Sequence, residues 1–204
     1  MNQQRIELLG KLKIQGVSSR AFALPGKKQL QKSDCQIEVV VVDVTETPIE
    51  RPQKNIHQFY SGKKKRHTLK SQLVVNQATR EIICTAHGKG KVHDFRIFRN
   101  SKTRLRKNIK LFGDKGYQGV QKLHPNSETP KKKPRGNNLS IADKKKNREL
   151  ARIRVIGENV NCKLKVFKIL SDRYRNRRQR FGLRFNLIAG LYNYELRLLQ
   201  PLSV

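Results

Sequence analysis

Apolar and polar positions follow two different rhythms along the chain. From Ile37 to Pro48 the run IEVVVVDVTETP gathers β-branched residues in a stretch too short for a helix core and closed by proline, which predicts a buried central strand. LKSQLVV and EIICTAHG, separated by NQATR, predict a hairpin, and NIKLFGD predicts a short strand that GYQG turns away. The spacing then changes. Leu150, Ile153, Gly157, Val160, Leu164 and Phe167 recur every three or four positions, so they form one stripe on a helix suited to packing against a sheet. Phe181, Phe185, Ile188 and Tyr192 repeat that spacing in a last helix, which Pro201 follows closely. HDFRIFRNS predicts a short helix with Asp94 accepting the free amide hydrogens of its first turn. Strands followed by sheet-packing helices predict an α/β domain.

The remaining segments are less regular. Residues 1–36 read as a short helical or irregular lead-in with an apolar patch at Leu8, Leu9, Leu12 and Ile14. Residues 37–199 form the main domain, and 200–204 a tail. Within the domain, 53–67 reads as a basic loop holding Phe59 and Tyr60, and about 125–146 as a mobile basic insertion. Ser140 and Asp143 stand as candidate caps for the helix that follows. No internal repeat is visible.

Charge sharpens this picture. The chain has 204 residues, with 46 Lys and Arg against 15 Asp and Glu, a formal net charge of +31. Such a surplus repels itself unless a polyanion neutralises it, so nucleic acid is the expected partner. The runs KKKRH at 63–67, KKKPR at 131–135, KKK at 144–146 and RYRNRRQR at 173–180 are each nonspecific. Spread among structured elements, they predict a surface that tracks phosphates. No apolar run is long enough to span a membrane and the N-terminus lacks a signal-peptide pattern, so a cytoplasmic protein is expected. Cys35, Cys84 and Cys162 are odd in number and far apart, which predicts reduced thiols rather than a disulfide framework.

In so basic a chain, the acids placed where solvation is poor carry the most information. Asp43 follows four valines, and Asp114 follows Leu111, Phe112 and Gly113 at a strand end. An isolated buried carboxylate costs several kcal/mol, so each needs a cation, a metal or hydrogen-bond donors; capping a turn is the plainer alternative for either alone. Glu158 lies on the flank of the helical stripe with Arg154 four residues before it, and an ordinary exposed pair is its plain reading. A helix laid on the sheet beside Asp43 and Asp114 would bring three carboxylates together. Such a set repels itself unless cations fill the gap, and oxygen-only ligands select magnesium or manganese.

Five motifs, VVDVTETPIERP, GKKKRHTLKSQ, GKVHDFRIFRNS, GDKGYQG and RVIGENVNCKLKVFKIL, occur in an order that resembles the catalytic domain of DDE transposases from bacterial insertion sequences, of the Harbinger-like kind. The resemblance runs from about Asp34 to the last helix. It implies an α/β fold with a ribonuclease H-like mixed sheet flanked by helices, and an enzyme that cuts and joins double-stranded DNA. It also implies Asp43, Asp114 and Glu158 as catalytic residues holding two Mg2+ ions, for which Mn2+ can substitute. Gly113 and Gly116 would then let the chain turn sharply so that Asp114 projects freely, with Tyr117 packing beside it.

Relatives of that kind begin with a longer helical region that recognises the element ends, so this chain is expected to be truncated or one frame of a split gene. Asn159 and Cys162 stand where basic residues or histidine are usual. The DNA contacts expected nearest the site are Arg51, Arg66, Lys70, Arg154 and Lys165, with Phe59 and Tyr60 either stacking on a base or buried. His93 and Asp94 form an alternative ligand pair, with Asp94 the rival to Asp114. A zinc cluster of Cys84, His87 and His93 matches no structural spacing and is set aside. Transposition joins two ends, so a homodimer or larger assembly is expected, associated with the nucleoid. A noncatalytic basic nucleic-acid-binding protein, or an inactive remnant, is the alternative reading.

Overall fold

The computed structural model describes residues 19–134 and 136–199, so the apolar patch at Leu8, Leu9, Leu12 and Ile14, and Pro201, lie outside the described residues. In chain order the strands are β1 (Val39–Pro48), β2 (Tyr60–Ser61), β3 (Arg66–Asn76), β4 (Ile82–Lys89), β5 (Lys110–Gly113) and β6 (Ser127–Glu128). The α-helices are α1 (Ile56–Phe59), α2 (Asp94–Asn100), α3 (Ile141–Leu164), α4 (Lys168–Ser171) and α5 (Phe181–Leu199).

All six strands join one sheet with β1 at its centre. On one side β3 runs antiparallel to β1, pairing Val42 with Val74, and β4 runs antiparallel to β3 beyond it. On the other side β5 lies parallel to β1, pairing Val42 with Gly113, and β6 lies parallel to β5. This is the ribonuclease H-like mixed sheet flanked by helices that the sequence resemblance implied. The hairpin between β3 and β4 closes through the Arg80 amide, which donates to the Asn76 carbonyl at 2.9 Å, with Arg80 itself at φ 63°.

Alternation along β1 divides the interior into two layers. Val40 and Val42 pack with Leu30, Val74, Phe98, Leu111 and Tyr117 on the α2 side. Val41 packs with Phe112 and Leu150 of α3, and the β3 residues Leu73 and Val75 join Val160, Leu164 and Phe185 beneath α3 and α5. The predicted stripe therefore faces the sheet: Leu150, Gly157, Val160 and Leu164 are all buried. Helix α3 starts earlier than the stripe does, at Ile141, where Ser140 caps it by accepting from the Asp143 amide at 3.0 Å.

Three local differences from the sequence reading have physical causes. The segment read as a basic loop holds α1 and β2, because Phe59 buries into the α3 and α5 layer while Tyr60 pairs with His67 of β3. The basic insertion is tied to α3 by two bonds between the Lys131 backbone and the Asn147 amide, at 2.9 and 3.0 Å, and by a Lys131 to Asp143 ion pair at 2.8 Å. Asp94 does not cap α2, whose N-cap is His93 with no side-chain bond. Its carboxylate takes the stronger, charge-assisted partner offered by Lys70, at 2.8 Å. Among the described residues, no helix is long and apolar enough to cross a membrane. Cys35 and Cys84 are buried, Cys162 is exposed, and all three are free thiols.

Candidate active site

The two aspartates owe their places to the central strand pair. Val42 pairs with Gly113, so the next residues along the two parallel strands are Asp43 and Asp114. Asp43 shares a strand face with Val41 and turns toward α3; Asp114 stands just past the last residue of β5. Burial raises the Asp43 pKa above the usual carboxylate value, and the charge of Asp114 adds to that, while hydrogen bonds from the Val44 backbone and Asn161 and the charge of Arg154 work against it.

Each carboxylate is held in position. Asn161 Nδ2 donates to Asp43 Oδ2 at 2.6 Å, and the Gly116 amide donates to Asp114 Oδ1 at 2.8 Å. Helix α3 approaches Asp43 through Gly157, where an added Cβ would lie 3.2 Å from both Asp43 Cβ and Val41 Cγ1. Glycine inside a helix costs about 1 kcal/mol relative to alanine, a cost that close contact between helix and strand offsets here.

Gly113 and Gly116 were expected to provide a sharp turn. The structure gives a different reason, since neither has a positive φ. A Cβ on Gly113 would meet Tyr117 Cβ at 2.9 Å; one on Gly116 would meet Asp114 Oδ1 at 2.9 Å and Asp94 Oδ2 at 3.0 Å. Both are small because the turn is packed against its own neighbours. Tyr117 is fully buried beneath it and its hydroxyl donates to Gln72 Oε1 at 3.1 Å. Burial, followed by the charges of Asp94, Asp43 and Asp114, holds its phenol well above the usual range.

Glu158 is not gathered with the aspartates. It follows Gly157 but points from the exposed flank of α3, its side chain 59% exposed and 3.6 Å from Arg154. Like charges repel, and Arg154 offers Glu158 the nearer cation. Among the described residues no three His, Cys, Asp or Glu side chains stand close enough together to hold a metal ion. Asp43 and Asp114 nonetheless fit a hard divalent cation. Both are oxygen donors, the charge of Asp114 disfavours that of Asp43, and the buried Asn161 Oδ1 beside Asp43 has no hydrogen-bond partner.

The basic residues expected near the site separate into distinct places. Arg51 and Arg66 line a concavity of about 570 Å³ with Arg173 at the far end of β1. Lys70 was expected against DNA, but its ammonium donates to the Val92 carbonyl and to Asp94, beneath the Asp114 turn. Lys165 is half-buried, with its pKa lowered by burial and by Lys64, and close enough to Asp43 and Glu46 to feel their charges. Tyr60 is exposed and Phe59 buried. His93 is exposed at the start of α2, and among the described residues His87 and Cys84 belong to no metal cluster.

Asn161 was missed as a functional residue, although a polar side chain within the apolar stripe of Gly157, Val160 and Leu164 was a visible signal. The Lys70 to Asp94 pair, formed across 24 residues, left no such signal.

One relative of this chain is described as a "Probable transposase for insertion sequence element IS702" from Microchaete diplosiphon. It is 57% identical over 182 residues, covering 89% of this chain and 66% of the relative. No solved structure matches the chain significantly. The DDE superfamily endonuclease family matches residues 42–193, a span that begins beside Asp43, includes Asp114 and Glu158, and ends within α5. With Asp43 on β1, Asp114 just past the end of the neighbouring β5 and α3 laid over Asp43, the chain belongs to the DDE superfamily endonucleases.

Proposed function

We propose that this protein is the catalytic part of an insertion-sequence transposase, a DNA endonuclease and strand transferase that nicks at element ends and joins the freed 3′ hydroxyl to target DNA. The observation that carries the reading is the pairing of Asp43 and Asp114 under a helix bearing Glu158, in a chain 57% identical to a probable transposase. Asp43 and Asp114 would hold magnesium or manganese, two ions per site, with Glu158 joining them only by leaving its exposed pair with Arg154. Ions bound there supply activation of a water or 3′ hydroxyl and charge for the leaving oxygen.

The surrounding residues have separate tasks. Asn161 orients the Asp43 carboxylate, the Gly116 amide orients Asp114, and the Lys70 to Asp94 pair supports the turn from below. Arg154 and Lys165 supply positive charge on the α3 side, where a scissile phosphate would lie. Joining two ends needs two such sites, so the working assembly holds at least two copies.

The test pairs plasmid nicking in manganese with a manganese titration by calorimetry, on wild type, Asp43→Asn, Asp114→Asn, Glu158→Gln and Asp94→Asn. Loss of nicking and of metal binding in the two aspartate variants, weakened binding in Glu158→Gln and retained binding in Asp94→Asn are expected. A wild type that binds no manganese at millimolar concentration, with or without DNA, overturns the reading in favour of a noncatalytic nucleic-acid-binding protein.

A further inference from the structure

A second basic feature lies on the opposite side of the sheet from β5 and β6. A groove of about 980 Å³ follows β4, with α2 as one wall and the start of α5 as the other. Four cations enter it from three separate places: Lys89 and Lys91 at the end of β4, Arg96 from α2, and Arg178 from the turn before α5. Its lining contains no Asp or Glu. None of the four has a carboxylate partner among the described residues, whereas Lys70, Lys110, Lys131 and Arg154 each do. Uncompensated cations gathered in one concavity form a site for an anion larger than a single carboxylate.

The walls are fixed in place. Phe59 lies under two of the cations, with Lys89 Nζ 5.4 Å and Arg178 Cζ 5.0 Å from its ring centroid. Lys89 also donates to Gln58 Oε1, and the Lys91 amide donates to the Gln58 carbonyl at 3.2 Å. On the far wall, His87 stands edge-on to Phe181 and Phe185, at 5.6 and 5.3 Å, and a Cβ on Gly182 would lie 2.8 Å from its ring. The groove also connects to the acids, because its lining residues Val92 and His93 directly precede Asp94, and Lys70 ties Val92 and Asp94 together under the Asp114 turn.

We propose that this groove is a second DNA track, in which Lys89, Lys91, Arg96 and Arg178 take successive phosphates of a strand running past the Asp114 turn and around the β4 edge. The proposal rests on the transposase reading for the identity of its ligand and adds to it a surface that neither the family match nor the acids assign. A frayed single strand and an intact duplex share the phosphodiester chemistry, and the two arms of the test separate them by form.

The experiment measures binding of a fluorescein-labelled 20-mer, single-stranded or duplex, by anisotropy across a salt series in EDTA. The proteins are wild type, the triple variant Lys89→Gln, Arg96→Gln, Arg178→Gln, and a control with equal charge loss on exposed α3 positions, Lys144→Gln, Lys145→Gln, Arg148→Gln. Each phosphate that no longer meets a cation lowers the slope of log affinity against log salt by about 0.7 to 0.9. The groove variant is expected to lose about two units or more of slope and at least tenfold in affinity, with the control losing less. Stronger loss on the single strand marks a frayed or displaced strand, and stronger loss on the duplex marks intact double-stranded DNA. Equal losses in the two variants, an unchanged slope in a groove variant that melts like wild type, or displacement of the oligonucleotide by polyglutamate at equal charge each overturn the proposal. Chemistry is silent in EDTA, so a protein that binds through the groove yet never nicks refutes only the catalytic reading.

Discussion

Asn161 joins two facts: a 2.6 Å bond to Asp43 and a buried oxygen with no partner. Groups that orient a metal-binding carboxylate typically change metal affinity by about 10- to 100-fold when removed. Asn161→Ala is therefore expected to weaken manganese binding by at least about tenfold in calorimetry, and Asn161→Ser to recover part of it. Gly113→Ala forces a Cβ to within 2.9 Å of Tyr117 Cβ, so a loss of about 1 to 3 kcal/mol is expected from the shift in its urea midpoint. His87 responds to pH. Crowding by its neighbours lowers its pKa from 6.5 to about 4, so the fold prefers the neutral ring. That preference is fully expressed above pH 6.5 and is lost as pH falls through 4. Melting temperatures of wild type and His87→Gln should accordingly converge, or cross, as pH falls through that window; a constant gap would refute the assignment. The effect is small because part of the ring faces solvent.

At the scale of elements, the parts legible in the sequence were those set by local periodicity. The valine run of β1, the β3 to β4 hairpin and the α3 stripe each follow from spacing alone, and so does the placement of Asp43 on one strand and Asp114 at the end of another. Less legible were features decided by distant partners. Lys70 looked like a DNA contact because its salt-bridge partner lies 24 residues away, and α1 looked like a loop because only the tertiary burial of Phe59 stabilises so short a helix. Glu158 kept the exposed pair with Arg154 that its i, i+4 spacing allowed. Helix α5 makes a further approach that no spacing could reveal. A Cβ on Gly190 would collide with the Phe22 carbonyl oxygen, next to the bond from Arg197 to the Ala21 carbonyl at 2.8 Å. Gly190→Ala must push the 19–22 turn away, and faster proteolytic cleavage ahead of Pro25 is the expected sign.

Across the whole molecule, a net charge of +31 acts on every equilibrium at once. Added salt screens self-repulsion in the folded state, so the thermal midpoint should rise between low and physiological ionic strength while DNA affinity falls. A midpoint that is flat or falls over that range would show that the basic surface is already balanced internally. The buried phenol of Tyr117 has an optical consequence. The chain has five tyrosines and no tryptophan, so its near-ultraviolet signal is almost wholly phenolic. Burial raises the phenol pKa of both Tyr192 and Tyr117, and Tyr117, held well above the usual range by burial and by Asp94, Asp43 and Asp114, adds its phenolate absorbance only when the turn at Asp114 gives way. The difference between alkaline titrations of wild type and Tyr117→Phe thereby becomes an assay for opening of the turn at Asp114, with no label attached and no DNA present.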